Sequence, residues 1–218
     1  MLEQNPVDVY QLRLFLKGIS PMIWRRLLVT SHTSLADLHY AIQISMGWQD
    51  DHLHQFDIWG KGYGLYHTGG ICFPDNPRKI FLKDFHFRLY EKFGYEYNFF
   101  SHWQHEIRLE KVFPVDLKKT YPLCIGGHYA APPEDCGGPD TFMRLLAEYS
   151  PWDLEEKLSE ACEQYQEEQD QECFDETIEN LSYWANRHLL NRRKINRQLH
   201  RYFADQDSLT VEEVQDED

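Results

Sequence analysis

The sequence predicts an α+β protein: a mainly antiparallel sheet with packed helices, followed by a C-terminal helical extension. Segments of the first 112 residues alternate with period two, whereas the pattern from residue 151 onward has a helical period. The net charge of −14 is unevenly spread, with −2 in residues 1–152 and −12 in residues 153–218. We therefore divide the chain into an α+β domain at 8–150, a helical extension at 151–203 and an acidic, flexible tail at 204–218.

The chain opens with a predicted hairpin. Residues 10–17 alternate as a strand, residues 18–21 carry turn signals, and a second strand is predicted at 23–30. Ser34 precedes an apolar series with helical spacing, and Gly47 follows it. These residue types favour a helix start and a helix stop, so they predict the first helix between them.

The middle of the chain predicts more strands. A third strand is expected at 52–59, then a flexible Gly-rich loop to about residue 77, a short strand at 79–83 and a short helix at 84–92. Aromatic residues alternate at 95, 97 and 99. The clearest strand is 103–112, where Trp103, His105, Ile107 and Leu109 share one face.

An irregular loop is predicted at 122–139, since this stretch is rich in Gly, Pro and acidic residues. Helices are predicted at 140–149, 152–167 and 174–203. No apolar run reaches the roughly 20 residues needed to span a bilayer, and the N-terminus does not read as a signal peptide. Five scattered cysteines without a CxxC pair favour a cytoplasmic protein with reduced thiols.

Six segments in order resemble the plasmid pRiA4b open-reading-frame-three-like family. They are YQLRLFLKGI at 10–19, PMIWRR at 21–26, MGW at 46–48, HLHQF at 52–56, the aromatic strand pair at 95–107, and PPEDCGG at 132–138. The resemblance covers about residues 8–150. It implies a bacterial or archaeal protein, sometimes near mobile elements, and no established activity.

One segment departs from the family pattern. Members usually read Tyr-Asp-Phe-Gly-Asp-x-Trp-Glu-His between the two aromatic strands, whereas this chain has Asn98, Phe100 and Ser101 in place of the two aspartates and the glycine. If the aspartates bind a metal or act as a base in relatives, that part is lost here. If the glycine allows a tight turn, the turn must be rebuilt.

A histidine pair suggests a divalent metal site. His52 and His54 are two apart on the predicted strand and would share a face, with His105, Cys124 or Cys136 as a third ligand. The alternative, which we favour, is that His54 and His105 are hydrogen-bonded histidines on an apolar face. No cofactor is firmly predicted, because the spacing matches no metal motif.

The predicted ligand or partner surface centres on the loop containing Glu134, Asp135, Cys136, Gly137 and Gly138, to which we add Trp103 and Arg26. The two glycines would let the backbone approach a neighbour closely. A structural role ahead of the 140–149 helix is the main alternative, and catalysis by Cys136 is disfavoured because the adjacent carboxylates oppose thiolate formation.

Two basic features have open interpretations. In the second strand Arg25 and Arg26 point to opposite faces; either could contact a phosphate or carboxylate, although pairing with an acidic side chain of the same chain is favoured. The basic run 187–201, with Arg192, Arg193 and Arg197, could contact nucleic acid. Packing of this amphipathic helix near the acidic helix 152–167 is the preferred interpretation.

These observations predict a cytoplasmic binding or adaptor module for an unknown protein or small ligand, with no established catalysis. One alternative is a metal-assisted hydrolase or nuclease that uses the three histidines and the two acidic residues of the loop. Another is a DNA-associated accessory protein of a mobile element. Neither a membrane partner nor nonspecific binding of nucleic acid by the whole chain fits the net charge.

Overall fold

A single antiparallel sheet organises the chain. The computed structural model describes residues 7–64 and 75–213. The strands are β1 (Asp8–Leu16), β2 (Trp24–Thr30), β3 (His54–Ile58), β4 (Lys61–Gly64), β5 (Lys92–Tyr97), β6 (Trp103–Pro114) and β7 (Leu123–His128). They pair in the order β4-β3-β5-β6-β1-β2-β7, with every pairing antiparallel. The predicted α+β class is confirmed.

The helices follow a simple order. The first helix lies between β2 and β3, and the other four follow β7. They are α1 (Leu35–Met46), α2 (Gly138–Glu148), α3 (Pro151–Glu168), α4 (Gln171–Asn186) and α5 (Arg192–Glu213). Ser34 caps α1 by accepting a hydrogen bond from the Asp37 amide, and Gly47 ends it with φ 81°. The predicted first helix is therefore confirmed. Within residues 7–64 and 75–213, none of the helices has the length and apolar character required to cross a bilayer.

The core lies between one face of the sheet and the helices that cover it. On β6 the predicted face of Trp103, His105, Ile107 and Leu109 is buried, and the intervening side chains are more exposed. α1 buries Leu35, Leu38 and Ile42 in the same apolar cluster. The cluster also includes Trp184, Ile195 and Leu199, so the helical extension shares a core with the sheet domain.

Several predicted boundaries are wrong. The third strand begins at His54, because the chain turns through Asp50 with φ 65° before it joins the sheet. The predicted strand 79–83 and helix 84–92 do not form; two 3-10 turns at Pro77–Lys79 and Leu82–Phe85 lead instead to β5, which begins at Lys92. The predicted loop 122–139 contains β7, and the predicted loop 60–77 contains β4. Its residues 65–74 lie outside the described part of the chain.

The helical extension also differs from the prediction. The expected helix 174–203 is two helices. The chain leaves α4 at residue 187, where the Arg187 carbonyl accepts a hydrogen bond from the backbone amide of Ala130, just after β7. α5 then packs on β7 and α1, while α3 packs on α4. The expected packing of the basic run on the acidic helix is therefore wrong. Ile195 and Leu199, from its predicted apolar stripe, are buried.

Candidate functional site

A cavity of about 620 Å³ lies where the helical extension meets the sheet domain. Its walls come from the end of α1, the segment 130–134 after β7, the facing sides of α4 and α5, and the connection between those two helices. Arg25 of β2 also lines it. The cavity therefore has an inner end at the sheet and outer walls made by the last helices.

Arg25 is a buried cation whose hydrogen-bond acceptors, in the described part of the chain, are backbone carbonyls. Because β2 alternates, its side chain points to the covered face and is only 1% exposed. Nε donates to the Ser45 carbonyl (2.8 Å), and Nη1 donates to the carbonyls of Trp24 (2.8 Å) and His128 (3.2 Å). Among the described residues Nη2 has no hydrogen-bond acceptor, and no carboxylate pairs with this guanidinium.

The electrostatics of this position are unusual. Burial lowers the pKa of Arg25 to about 10, an effect that the nearby Cys124 and Tyr183 partly oppose. The side chain nevertheless stays protonated at neutral pH. A buried charge held only by neutral carbonyls keeps a desolvation cost that an opposite charge would reduce.

A glycine fixes the connection between α4 and α5 over this arginine. A Cβ on Gly127 of β7 would lie 2.5 Å from Cδ2 of Leu190, 2.8 Å from the Trp24 carbonyl oxygen and 3.0 Å from Cδ of Arg25. No larger residue fits this approach without displacing a neighbour. Gly127 therefore lets the connection lie directly on the sheet and form one wall of the cavity.

The outer part of the cavity carries both signs of charge. Glu176 and Glu179, one helical turn apart, come from α4, and Lys194 comes from α5. All three are exposed, in contrast to Arg25. Uncharged polar groups of Asn180, Asn191 and Gln198 complete this part of the lining.

The predicted loop surface is held against aromatic residues of the core. The Tyr97 hydroxyl donates to one oxygen of the Glu134 carboxylate, and the backbone amide of Gln49 donates to the other (2.7 Å). The Glu134 carbonyl accepts from the Trp103 indole (2.9 Å), and the Pro132 carbonyl accepts from Trp48 (2.9 Å). Both Glu134 and Trp103 therefore have internal partners, which supports the structural alternative for this loop.

The other loop residues also have internal neighbours. A Cβ on Gly138 would overlap the carbonyl oxygen of Ser101, so the predicted close approach is to the turn between β5 and β6. Burial raises the pKa of the Cys136 thiol to about 11, which keeps it protonated and unsuited to nucleophilic attack. Gly137 has φ 89°, and Asp135 pairs with His52 at 2.8 Å.

The turn between β5 and β6 is rebuilt around the residues that replace the family pattern. Asn98 adopts φ 55°, and its side-chain oxygen accepts bonds from the amides of Phe100 (3.1 Å) and Ser101 (3.2 Å). Asparagine tolerates this left-handed conformation better than most residues, so the turn forms without the usual glycine. Phe100 projects from it with 99% exposure.

The three predicted metal ligands do not converge. His52 precedes β3 instead of sharing its face, and it pairs with Asp135. Nδ1 of His105 lies 3.1 Å from the Trp103 carbonyl oxygen. The ring of His54 stacks on His39, with centroids 3.5 Å apart. Nor does any one of the described cavities contain Glu134, His54 and His105 together, as the hydrolase alternative requires.

Sequence reasoning missed His39 and Asp50. The ring nitrogens of His39 lie 2.7 Å from an Asp50 oxygen and 2.8 Å from the Tyr95 hydroxyl. The available signal was the position of His39 within the inward stripe of α1, next to Leu38 and one turn before Ile42 and Gln43. A polar residue on such a stripe requires a buried partner.

Of the remaining predicted basic residues, one forms an ion pair, one contacts a backbone carbonyl and two are exposed. Arg26 makes a bidentate ion pair with Glu110, in which Nε and Nη2 each donate to one carboxylate oxygen, at 2.6 and 3.0 Å. The expected pairing with an acidic side chain is therefore confirmed for Arg26. Arg192 donates to the Ile125 carbonyl at 2.8 Å. Arg193 and Arg197 are exposed on α5.

The seven-stranded antiparallel sheet and its covering helices define a protein of the α+β class. The sequence model described as "Plasmid pRiA4b ORF-3-like protein" matches residues 8–182, and the chain belongs to this family. The match extends through α3 and most of α4, beyond the predicted domain boundary at 150.

Two relatives, one similar in sequence and one in sequence and fold, name no activity. The uncharacterized protein y4hQ of Sinorhizobium fredii is 31% identical over 145 residues, which cover 65% of this chain and 74% of that protein. The crystal structure of MM3350, a protein of unknown function from Methanosarcina mazei Go1, matches with a TM-score of 0.59 and 38% identity. That match covers 66% of this chain and 82% of the other.

Proposed function

We propose that the protein is a binding module that holds a small anionic ligand, through a carboxylate or phosphate group, in the cavity lined by Arg25. The observation that carries the proposal is the buried guanidinium whose Nη2 has no acceptor among the described residues. A ligand oxyanion would supply both the acceptor and the opposite charge. Bonds between arginine and such groups are charge-assisted and directional.

The dimensions of the cavity support a small ligand. Its volume of about 620 Å³ falls within the roughly 300–1,000 Å³ typical of small-molecule sites. The three carbonyl acceptors of Arg25 fix the guanidinium before any ligand arrives. A fixed side chain loses little conformational entropy on binding, which favours affinity.

The charges around the cavity restrict the ligand. Glu176 and Glu179 would repel a highly charged anion, whereas one carboxylate or one phosphate can reach the inner end beside Arg25. This argues against nucleic acid or polyphosphates in the cavity. Lys194 and the amides of Asn180 and Asn191 offer donors to the rest of the ligand.

Thermal unfolding with inorganic phosphate, succinate or benzoate as probes tests the proposal. We expect at least one probe to raise the Tm; a concentration of 100 times Kd adds about 2.7 kcal/mol. R25M should abolish the rise. The matched control R193M changes an exposed arginine on α5 that does not line the cavity, and it should keep the rise.

A second variant covers the case in which R25M does not fold. K194M alters an exposed residue of the cavity lining and should reduce the response while leaving the fold intact. An equal response in the wild type and in R25M contradicts the proposal, as does the absence of a response to all three probes.

A cytoplasmic location is part of the proposal, and the free thiols of Cys124, Cys136, Cys162 and Cys173 support it.

A further inference from the structure

We infer that His39, Asp50 and His54 bind one divalent transition-metal ion of the zinc class. Their ligand atoms all lie within 4.8 Å of one another, and no other group of this kind occurs in residues 7–64 and 75–213. His39 comes from α1, Asp50 from the turn after it, and His54 from the first position of β3. Two imidazoles and a carboxylate are a common ligand set for zinc.

His39 and Asp50 are already oriented for an ion. The 2.7 Å contact joins Nε2 of His39 to the Asp50 carboxylate. In the tautomer with the ring proton on Nδ1, both Nε2 and the carboxylate offer lone pairs to an ion. The other ring nitrogen faces the Tyr95 hydroxyl, which accepts a bond from Gln43 at 2.9 Å. Metal-binding histidines are generally held through their second nitrogen in this way.

His54 supplies the third ligand after a rotation. Its ring lies parallel to that of His39, with an interplanar angle of 9°. Because a nitrogen lone pair lies in the plane of its ring, two parallel rings cannot both point at one ion. No described residue accepts or donates a hydrogen bond at the ring nitrogens of His54. A turn of this ring toward Asp50 therefore breaks no hydrogen bond of the described chain, but it must separate the ring from its stack on His39.

Access also suits an ion. The Asp50 side chain is 28% exposed, which gives the ion a route from solvent. Three protein ligands leave a fourth tetrahedral position for water.

Cobalt titration tests this inference with the full chain, purified without a histidine tag and stripped with a chelator. We expect one Co²⁺ to bind with the visible absorption of a four-coordinate site, and one Zn²⁺ to displace it. H54Q and D50N should each weaken Zn²⁺ binding by at least about 10-fold, because each removes a ligand. Circular dichroism of both variants verifies that the fold is retained.

H52Q is the matched control. His52 lies two residues from His54 but pairs with Asp135 outside the cluster, so H52Q should bind zinc like the wild type. Equal weakening in H52Q and H54Q would place the ion elsewhere and overturn the inference. The absence of stoichiometric cobalt or zinc binding by the wild type would also overturn it. The result is independent of the anion site, since R25M should retain the metal.

Discussion

Replacement of Gly127 by alanine should measure how tightly the α4–α5 connection lies on the sheet. In a strand, alanine normally stabilises relative to glycine by about 0.5–1 kcal/mol. At Gly127 the new Cβ would lie 2.8 Å from the Trp24 carbonyl oxygen, whereas ordinary contacts are 3.4 Å or longer. It would also lie 2.5 Å from Leu190 Cδ2. Overpacking of this kind costs about 1–3 kcal/mol.

The magnitude follows from these opposing effects. The side chain of Leu190 can move, but the backbone oxygen of Trp24 is held in the pairing of β2 with β7. We therefore expect G127A to lower the free energy of unfolding by about 1–2 kcal/mol, after subtraction of the intrinsic gain. Gly94 of β5 provides the matched control, since a Cβ there would meet Asp57 Cβ at an ordinary 3.5 Å.

Urea denaturation of the wild type, G127A and G94A is the assay. G94A should be as stable as the wild type or gain up to about 1 kcal/mol. The two variants should differ by at least about 1 kcal/mol. If G127A proves as stable as G94A, the close approach of the connection does not exist in solution, and the wall that it gives to the Arg25 cavity is absent.

Two further predictions concern groups whose ionisation is shifted by burial. With a pKa near 11, Cys136 should react with iodoacetamide at pH 8 far more slowly than the exposed Cys162, as peptide mass spectrometry can measure; equal rates would contradict its burial. Burial lowers the pKa of His105 from 6.5 to about 3, so acid favours the unfolded state, which takes up the proton. Stability is complete above pH 6.5 and falls below it, by about 2 kcal/mol at pH 5. H105Q should lose less stability than the wild type between pH 7.5 and 5, and parallel losses in urea titrations would refute this.

The sequence pattern predicted elements whose signals are local. β1 and β6 alternate over their length, and α1 has both its Ser34 cap and its Gly47 stop. The break between α4 and α5 was not predictable in this way. It depends on contacts of the connection with Gly127 and Ala130, which lie about 60 residues earlier in the chain.

The candidate site was predictable only in part, for a similar reason. Alternation placed Arg25 and Arg26 on opposite faces of β2, and Arg26 found the expected acidic partner in Glu110. For Arg25 that expectation was wrong, because its acceptors within residues 7–64 and 75–213 are carbonyl groups and no carboxylate. His39 and Asp50 met His54 through tertiary packing that residue spacing does not encode.

The position of the cavity walls along the chain has a consequence for synthesis. Arg25 is made early, but the facing walls at Glu176, Lys194 and Gln198 are among the later residues of the described chain. The sheet can pair before these helices exist, with the inner end of the cavity still open to water. A nascent chain therefore contains Arg25 long before the cavity is closed. Under the proposed function, it should acquire affinity for an anion only when the last helix emerges and packs.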